Sequence, residues 1–358
     1  GSLSSAYTAE QDGRDFSHRE DQFFLNAALN VLRQPDWDMV ITYQGIVDGF
    51  EHAYLLTDPR QLSYTQSISL TYWDYIKESY QAVDAAIVAI SNTVGLTQTD
   101  IFVASDHGQA PIHTTLYINR LLAQQGISVT TPITAYAQAG GGYAYIYINA
   151  TTRSGGVISS IGTQGYTDTQ TAIANALSSF TDTDRLTGQT IYPFDVIVRK
   201  QDLGAHGLYT DTVGDVFATV RPGYSLSGAT NTGAITEAVA YGGTHGHAIT
   251  NPELYGVFLA AGPEISHTLP QATRLIDVAP TVAGALGLGK MQTAEGVPMC
   301  SILSRGCTPT AITLLAWRTT PLSDIHPLLY LIAAGMLISL VPIFGRRRSL
   351  KKRSRDAV

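Results

Sequence analysis

The sequence predicts an α/β protein with a mostly parallel central sheet and helices on both faces. Short apolar runs that suit buried strands alternate along the chain with longer amphipathic stretches that suit helices. This alternation is typical of parallel sheets, because two parallel strands need a long crossover connection that a helix usually supplies. Several carboxylate and imidazole side chains also follow apolar runs directly, at the strand ends where open α/β sheets bind their ligands.

The first 104 residues predict two helices and two strands. Apolar residues recur at helical spacing over 21–32 and over the long stretch 68–90. The runs 38–43 and 101–104 are short and apolar enough for strands. The order of strand, loop, helix and strand is the arrangement expected of one sheet covered by helices.

The remainder predicts further strands and helices. The predicted strands are 143–149, 194–200, 215–220 and 255–263. The predicted helices are 170–180 and 276–288. In the last of these, Asp277 is placed to cap the first turn.

Charge and composition exclude some classes of function. Outside its last 14 residues the chain has 15 basic and 28 acidic residues, a formal charge of about −13. We therefore expect no nucleic-acid partner, since nucleic-acid binding depends on basic surfaces. The glycine-rich segments match neither the phosphate-binding loop of nucleotide hydrolases nor the dinucleotide-binding fingerprint.

The C-terminal part predicts a membrane anchor. The run PLLYLIAAGMLISLVPIF, residues 327–344, has no charged residue. At about 1.5 Å per residue it is long enough for a helix to cross a bilayer core of roughly 30 Å. The basic segment 345–358 follows, and the positive-inside rule places such a segment in the cytoplasm. A buried core helix with a solvated basic end is the alternative.

This interpretation divides the chain into a main domain, 1–307, a tether, 308–326, the membrane helix, 327–344, and the cytoplasmic tail, 345–358. The main domain is then extracytoplasmic on a single-pass cell-membrane protein. Cys300 and Cys307 could close a small disulfide in that oxidising compartment, or remain two free thiols. Because the chain begins at Gly1 without an apolar signal segment, we expect it to be a fragment of a longer protein.

Three polar segments carry candidate metal ligands. Asp48 and His52 are four residues apart, which puts both side chains on one face of a helical turn. Asp106 and His107 follow the apolar run 101–104 directly. His245 lies between glycines in GGTHGH, where the backbone can pass close to a charged centre.

Carboxylate and imidazole ligands without thiolates suit zinc, and also manganese or iron, better than calcium. One ion could take Asp48, His52 and His245, which leaves a position open for a substrate oxygen. A second ion would have only Asp106 and His107, which are too few. Because two metals about 3.5–4 Å apart commonly clamp a phosphoryl group, we expect a further ligand and the nucleophile upstream of residue 1.

These blocks together resemble the type I phosphodiesterase and nucleotide pyrophosphatase family of the alkaline phosphatase superfamily. The likeness extends over about 21–303 and includes Tyr43 with Asp48 and His52, SDHG at 105–108, GTHG at 243–246, and DVAPTVAGALGL. The resemblance implies an alkaline phosphatase-like fold with two divalent ions. Asp48, His52 and His245 would bind one ion, and Asp106 and His107 the other. Tyr43 would line the substrate pocket or, alternatively, pack as the last strand residue.

The resemblance also implies an activity. A Thr or Ser hydroxyl would attack phosphorus, form a covalent phosphoenzyme and be released by activated water. No match for this hydroxyl or for an additional metal-binding Asp occurs in GSLSSAYTAEQDGRD, so we expect the fragment alone to be inactive. The expected substrate is a phosphoester small molecule such as a nucleotide or lipid head group. Alternatives are a phosphomonoesterase, a sulfatase-like hydrolase and a membrane-tethered binding protein without catalysis.

Overall fold

A computed structural model of the chain describes residues 16–208, 213–231, 233–266, 273–289, 291–307 and 343–344. The chain has a mixed α/β fold and divides into two compact units. The first unit comprises residues 1–47, 80–106 and 256–358. The second unit comprises residues 48–79 and 107–255.

The α-helices and strands of the described residues have the following bounds. The helices are α1 Phe16–Leu32, α2 Ile46–Tyr54, α3 Gln66–Val94, α4 Ile118–Gln124, α5 Gln164–Ser178 and α6 Val278–Ala285. The strands are β1 Ile101–Ala104, β2 Ala110–Tyr117, β3 Ala135–Gly140, β4 Tyr143–Ile148, β5 Asp182–Thr183, β6 Thr190–Ile191, β7 Phe194–Arg199, β8 Val216–Val220, β9 Gly223–Ser227, β10 Thr236–Ala238, β11 Gly243–Thr244, β12 Phe258–Ala261 and β13 Ile343–Phe344.

In the first unit, β1 lies between β12 and β13, and both pairings are antiparallel. All four residues of β1 are buried, because its two faces are covered by different apolar layers. Ile101 and Val103 pack on a cluster that includes Leu32 and Ile90. Phe102 and Ala104 pack on the opposite cluster, which α6 and the segment after it supply: Val278, Val282, Met299, Ile302 and Leu303. A strand that is covered on both faces is expected to have a continuous apolar sequence, and IFVA at 101–104 has one.

The second unit contains the sheet β3-β4-β8-β7 and a sheet in which β2 pairs with β9, β10 and β11. Ala144, Ile146 and Ile148 alternate along β4 and point into a core that the helices α4 and α5 also enter. Among the described strands, β2 and β9 are parallel and every other pair is antiparallel. The prediction of a mostly parallel sheet is therefore wrong for the described strands. The two-residue turn between β3 and β4 shows why, since so short a connection permits only antiparallel pairing.

Most predicted helices and strands form, but one predicted strand is absent, and one predicted helix cap takes a different form. Residues 38–43 form no strand; Val40 makes a single bridge, while Met39 and Ile41 are 44% and 51% exposed. The apolar composition is that of a strand, but a strand also needs a neighbour along its length. Asp277 makes no cap hydrogen bond to α6 itself, but it closes the 3-10 turn Leu275–Asp277 that leads into α6, where its carboxylate accepts the backbone N–H of Arg274. It also accepts the N–H of Val297.

The end of the chain is described in part. Cys300 and Cys307 form a disulfide, which decides between the two states that the sequence allowed. No helix among the described residues combines the length and apolarity that a bilayer span requires. Of the predicted span, only Ile343–Phe344 is described, and it pairs with β1 as a strand rather than ending a helix. The tether 308–326, the remainder of the predicted span and the tail 345–358 lie outside the described residues.

A buried histidine on β2 makes the second unit sensitive to acid. His113 is 2% exposed, and its Nδ1 lies 2.8 Å from Thr114 Oγ1. Burial lowers the pKa of His113 from its ordinary 6.5 to about 4, and the positive charges of Arg60 and Arg185 add to this effect. Nearby carboxylates oppose it: Asp58 and Asp184.

We expect this histidine to contribute stability that is lost in acid. Because the folded-state pKa lies below the unfolded one, its contribution is present above pH 6.5 and disappears as the pH falls toward 4. The full difference corresponds to about 3 kcal/mol. The measurement is urea unfolding from pH 7 to pH 4 for the wild type and His113→Asn, whose amide can keep the bond to Thr114. Equal slopes of stability against pH in both proteins would contradict the assignment.

Candidate metal centre

Helix α2 supplies Asp48 and His52. The helix begins at Ile46, where the buried carboxylate of Asp21 accepts two backbone N–H groups, from Gly45 at 2.7 Å and from Ile46 at 2.8 Å. Burial raises the pKa of Asp21 to about 6, although these two hydrogen bonds favour its charged form. A carboxylate at this position also complements the positive end of the helix. No sequence pattern indicates this role of Asp21, because Asp21 lies 25 residues before Ile46 in the chain.

His52 has the hydrogen-bonding pattern of a metal ligand. Its Nδ1 lies 2.8 Å from the carbonyl oxygen of Gly243, on β11. A carbonyl oxygen only accepts, so Nδ1 donates this hydrogen bond. Nε2 lies 3.5 Å from Asp48 Oδ1. Metal-binding imidazoles are commonly fixed through their second nitrogen in this way.

His107 and His245 are brought together by the pairing of β2 with β11. Ala110 on β2 is paired with Thr244 on β11, so the residues that precede Ala110 lie level with those that follow Thr244. The rings of His107 and His245 stack with their centroids 3.7 Å apart and their planes 12° from parallel. Position 108 requires glycine, because a Cβ atom there would clash with the carbonyl oxygen of Glu253, only 2.3 Å away.

The surroundings of His245 favour the neutral imidazole that metals bind. Burial, aided by the neighbouring imidazoles of His107 and His52 and opposed by Asp48, lowers the pKa of His245 to about 4. The carbonyl oxygen of His245 accepts the N–H of Gly142 at 2.7 Å. The site therefore presents a neutral ring on a fixed backbone.

Asp48, His107 and His245 together form a candidate metal-binding triad. Each offers one ligand atom, and the three atoms lie within 4.8 Å of one another. The triad combines Asp48 and His245, which the sequence assigned to one ion, with His107, which it assigned to the other. His52 lies beside it, with its ring centroid 5.2 Å from that of His245. One carboxylate and several imidazoles are a donor set that suits a divalent transition metal.

The remaining predicted residues are placed as follows. Asp106 is half-buried in the first unit, directly before His107 in the chain. Tyr43 is half-buried, and its ring meets Phe24 of α1 edge to face at 6.1 Å; it does not end a strand. His247 is buried, with Nε2 2.8 Å from the carbonyl oxygen of Tyr224. The roles of Asp106 as a ligand and of Tyr43 as a pocket residue remain predictions.

The fold and the site define a mixed α/β protein with a carboxylate and imidazole centre. Residues 2–248 match the family described as type I phosphodiesterase / nucleotide pyrophosphatase. Because this match covers more than half of the sequence, the chain belongs to that family. The family that the sequence motifs suggested is thereby confirmed. A comparison with curated proteins finds no match.

Solved structures also resemble the chain. Human ectonucleotide pyrophosphatase / phosphodiesterase 5 is 14% identical with a TM-score of 0.43. The inactive murine protein of that name, in complex with AMP, is 14% identical with a TM-score of 0.44. Each match covers 68% of this chain and 55% of the solved one. Phosphonoacetate hydrolase from Sinorhizobium meliloti 1021 is 15% identical with a TM-score of 0.33, over 60% of this chain and 46% of that one. The chain thus spans about half the length of the structures that it matches.

Proposed function

We propose that the protein containing this chain is a membrane-anchored, metal-dependent phosphodiesterase or pyrophosphatase, and that this chain supplies most of its metal ligands. The observation that carries the proposal is the convergence of Asp48, His107 and His245 within 4.8 Å. Membership of the type I phosphodiesterase / nucleotide pyrophosphatase family supports the same class of reaction. The apolar run 327–344 and its basic flank support the anchor, with the catalytic domain outside the cell.

The donor set fits a pair of divalent ions, with zinc first and manganese or iron as alternatives. Asp48, His52 and His245 would hold one ion, and Asp106 and His107 would contribute to the other. When bound, such ions polarise the phosphoryl group and stabilise the charge that develops on its oxygens. A further ligand of the second ion and a Thr or Ser nucleophile would complete this site.

The residues of this chain have separate tasks in that reaction. Asp48 brings negative charge to the centre, which offsets part of the charge of a bound cation. His245 is held neutral by its surroundings, so it can offer a lone pair without first losing a proton. His52 is fixed through Gly243, which orients its free nitrogen toward Asp48. We propose a nucleotide or a lipid head group as the substrate.

The proposal predicts chelator-sensitive hydrolysis of bis-(p-nitrophenyl) phosphate by membranes that carry the intact protein. We expect EDTA to abolish turnover, and Zn²⁺ to restore it. His245→Ala should lower kcat/KM by about 100-fold or more, since even residues that only support a metal ligand cost 10–100-fold when replaced. The activity should remain in the membrane fraction after extraction at high pH.

The matched control is His206→Ala, because His206 is an exposed histidine of the same compact unit. This variant should retain the wild-type rate. Turnover that survives both EDTA and the loss of His245 would refute the metal-dependent mechanism. Release of the active protein by alkaline extraction would refute the membrane anchor alone.

A further inference from the structure

Gln109 makes two hydrogen bonds to Asp48. Its side-chain Nε2 lies 2.7 Å from Asp48 Oδ1 and 3.1 Å from the Asp48 backbone oxygen. Both bonds join the segment that carries His107 to the helix that carries Asp48. We propose that Gln109 is a positioning residue of the metal centre, which holds the Asp48 carboxylate in the orientation that binds the cation. This inference rests on the proposed function.

The chemistry of the two partners fixes the orientation of the Gln109 amide. Asp48 Oδ1 and the Asp48 carbonyl oxygen are both acceptors, so only the NH₂ group of the amide can face them. Rotating the amide by half a turn would bring three oxygens together. Gln109 Oε1 then points away, and within the described part of the chain this buried atom has no hydrogen-bond donor.

The backbone around Gln109 is fixed on both sides. The N–H of Gly108 donates to the carbonyl oxygen of Leu254 at 2.9 Å. Ala110, the first residue of β2, is fully buried and paired with Thr244. The Gln109 side chain therefore starts from a rigid strand end, and a rigid support is what precise placement of a ligand requires.

His52 is the reason why Asp48 needs this support. Its Nε2 lies 3.5 Å from the same oxygen, Asp48 Oδ1, that Gln109 binds. The torsion that turns a carboxylate about its Cβ–Cγ bond is broad, so few intrinsic barriers keep Asp48 in one orientation. Without the amide of Gln109, the carboxylate can turn so that its oxygen and His52 Nε2 no longer face the same cation. Gln109 occupies one of about four lone-pair positions and leaves the others for metal binding.

Two substitutions separate positioning from packing. Gln109→Met keeps the length of the side chain and removes both donated hydrogen bonds. Gln109→Asn keeps the amide but is one methylene shorter, which withdraws the donor from Asp48. The matched control is Gln138→Met, because Gln138 is an exposed glutamine on β3 of the same unit.

The experiment uses Co²⁺ as a spectroscopic probe with the intact protein, freed of metal by chelation. Isothermal titration gives the affinity, and the visible absorption of bound Co²⁺ reports the ligand geometry. We expect both Gln109 variants to bind Co²⁺ 10–100-fold more weakly than the wild type and to show a changed visible spectrum. The Tm of each variant without metal should shift no more than that of Gln138→Met.

The outcomes distinguish this inference from the proposed function. Wild-type affinity and an unchanged spectrum in both Gln109 variants would overturn the positioning role and leave the metal centre in place. A wild-type protein that binds no Co²⁺, or binds it equally well as His245→Ala, would overturn the proposed metal centre and this inference with it. A loss of Tm that accounts for the whole loss of affinity would mean that Gln109 serves only folding.

Discussion

Replacing Asp215 by alanine is expected to lower the free energy of unfolding by about 3–5 kcal/mol, the usual cost of breaking a buried ion pair. Asp215 is fully buried and accepts hydrogen bonds from the N–H of Ile148 at 2.7 Å and the hydroxyl of Tyr166 at 2.8 Å. Arg153 pairs with the same carboxylate through both terminal nitrogens. The variant would leave the N–H of Ile148 and the hydroxyl of Tyr166 without this acceptor in the core of the second unit, whereas the partly exposed Arg153 keeps the carbonyl oxygen of Ile148.

The electrostatics of this carboxylate agree with a structural role. Burial alone would raise the pKa of Asp215, but hydrogen bonds from Arg153, Ile148 and Tyr166 outweigh burial and lower it. The donors lie on β4, on the loop after it and on α5, so the carboxylate of Asp215, the residue directly before β8, ties these elements together.

Urea unfolding measures the effect of this substitution. The matched control is Asp168→Ala on α5, where an exposed carboxylate accepts a hydrogen bond from Gln164. This control should change stability by no more than about 0.5 kcal/mol. Asp215→Asn keeps the shape of the side chain and one acceptor oxygen. Its loss of unfolding free energy should therefore lie between those of Asp215→Ala and Asp168→Ala. If Asp215→Ala were as mild as the control, the buried cluster would contribute little to the fold.

Local sequence patterns predicted the elements of this protein better than their pairing. The apolar spacing over 68–90 predicted α3, and the run 101–104 predicted β1. Periodicity reports which face of an element is buried, and both elements have the buried faces that their patterns require. It does not report which strand lies alongside. The parallel sheet was therefore expected from the order of elements, whereas short turns such as Gly141–Gly142 impose antiparallel pairing.

The candidate site shows the same difference between what local patterns predict and what depends on the pairing of distant segments. Spacing alone placed Asp48 and His52 on one helical face, because four residues make about one turn. The proximity of His107 to His245 could be expected only from the motif set, since 138 positions separate them and strand pairing joins them. Gln109 was missed altogether. Its one signal was its place directly after SDHG, and an amide there has no chemical role until its partner Asp48 is known.

The loop that carries His245 rests on the turn between β3 and β4. Gly141 has a φ of +67°, and its carbonyl oxygen accepts the N–H of Leu226 at 2.6 Å. A Cβ at this position would lie 2.5 Å from Thr244 Oγ1 and 2.6 Å from the carbonyl oxygen of His245. Only glycine therefore fits both the backbone conformation and the close approach of the metal-binding loop.

We expect Gly141→Ala to weaken metal binding as well as the fold. The control is Gly155→Ala, because Gly155 has a φ of +72° but nothing within 4 Å of an added Cβ. Both variants should lose about 1 kcal/mol or more to the left-handed backbone, and Gly141→Ala a further 1–3 kcal/mol to overpacking. Titration with Co²⁺ should show a 10–100-fold loss of affinity for Gly141→Ala alone, since its clash displaces the backbone of His245. Equal affinities in the two variants would mean that the turn does not determine where His245 lies.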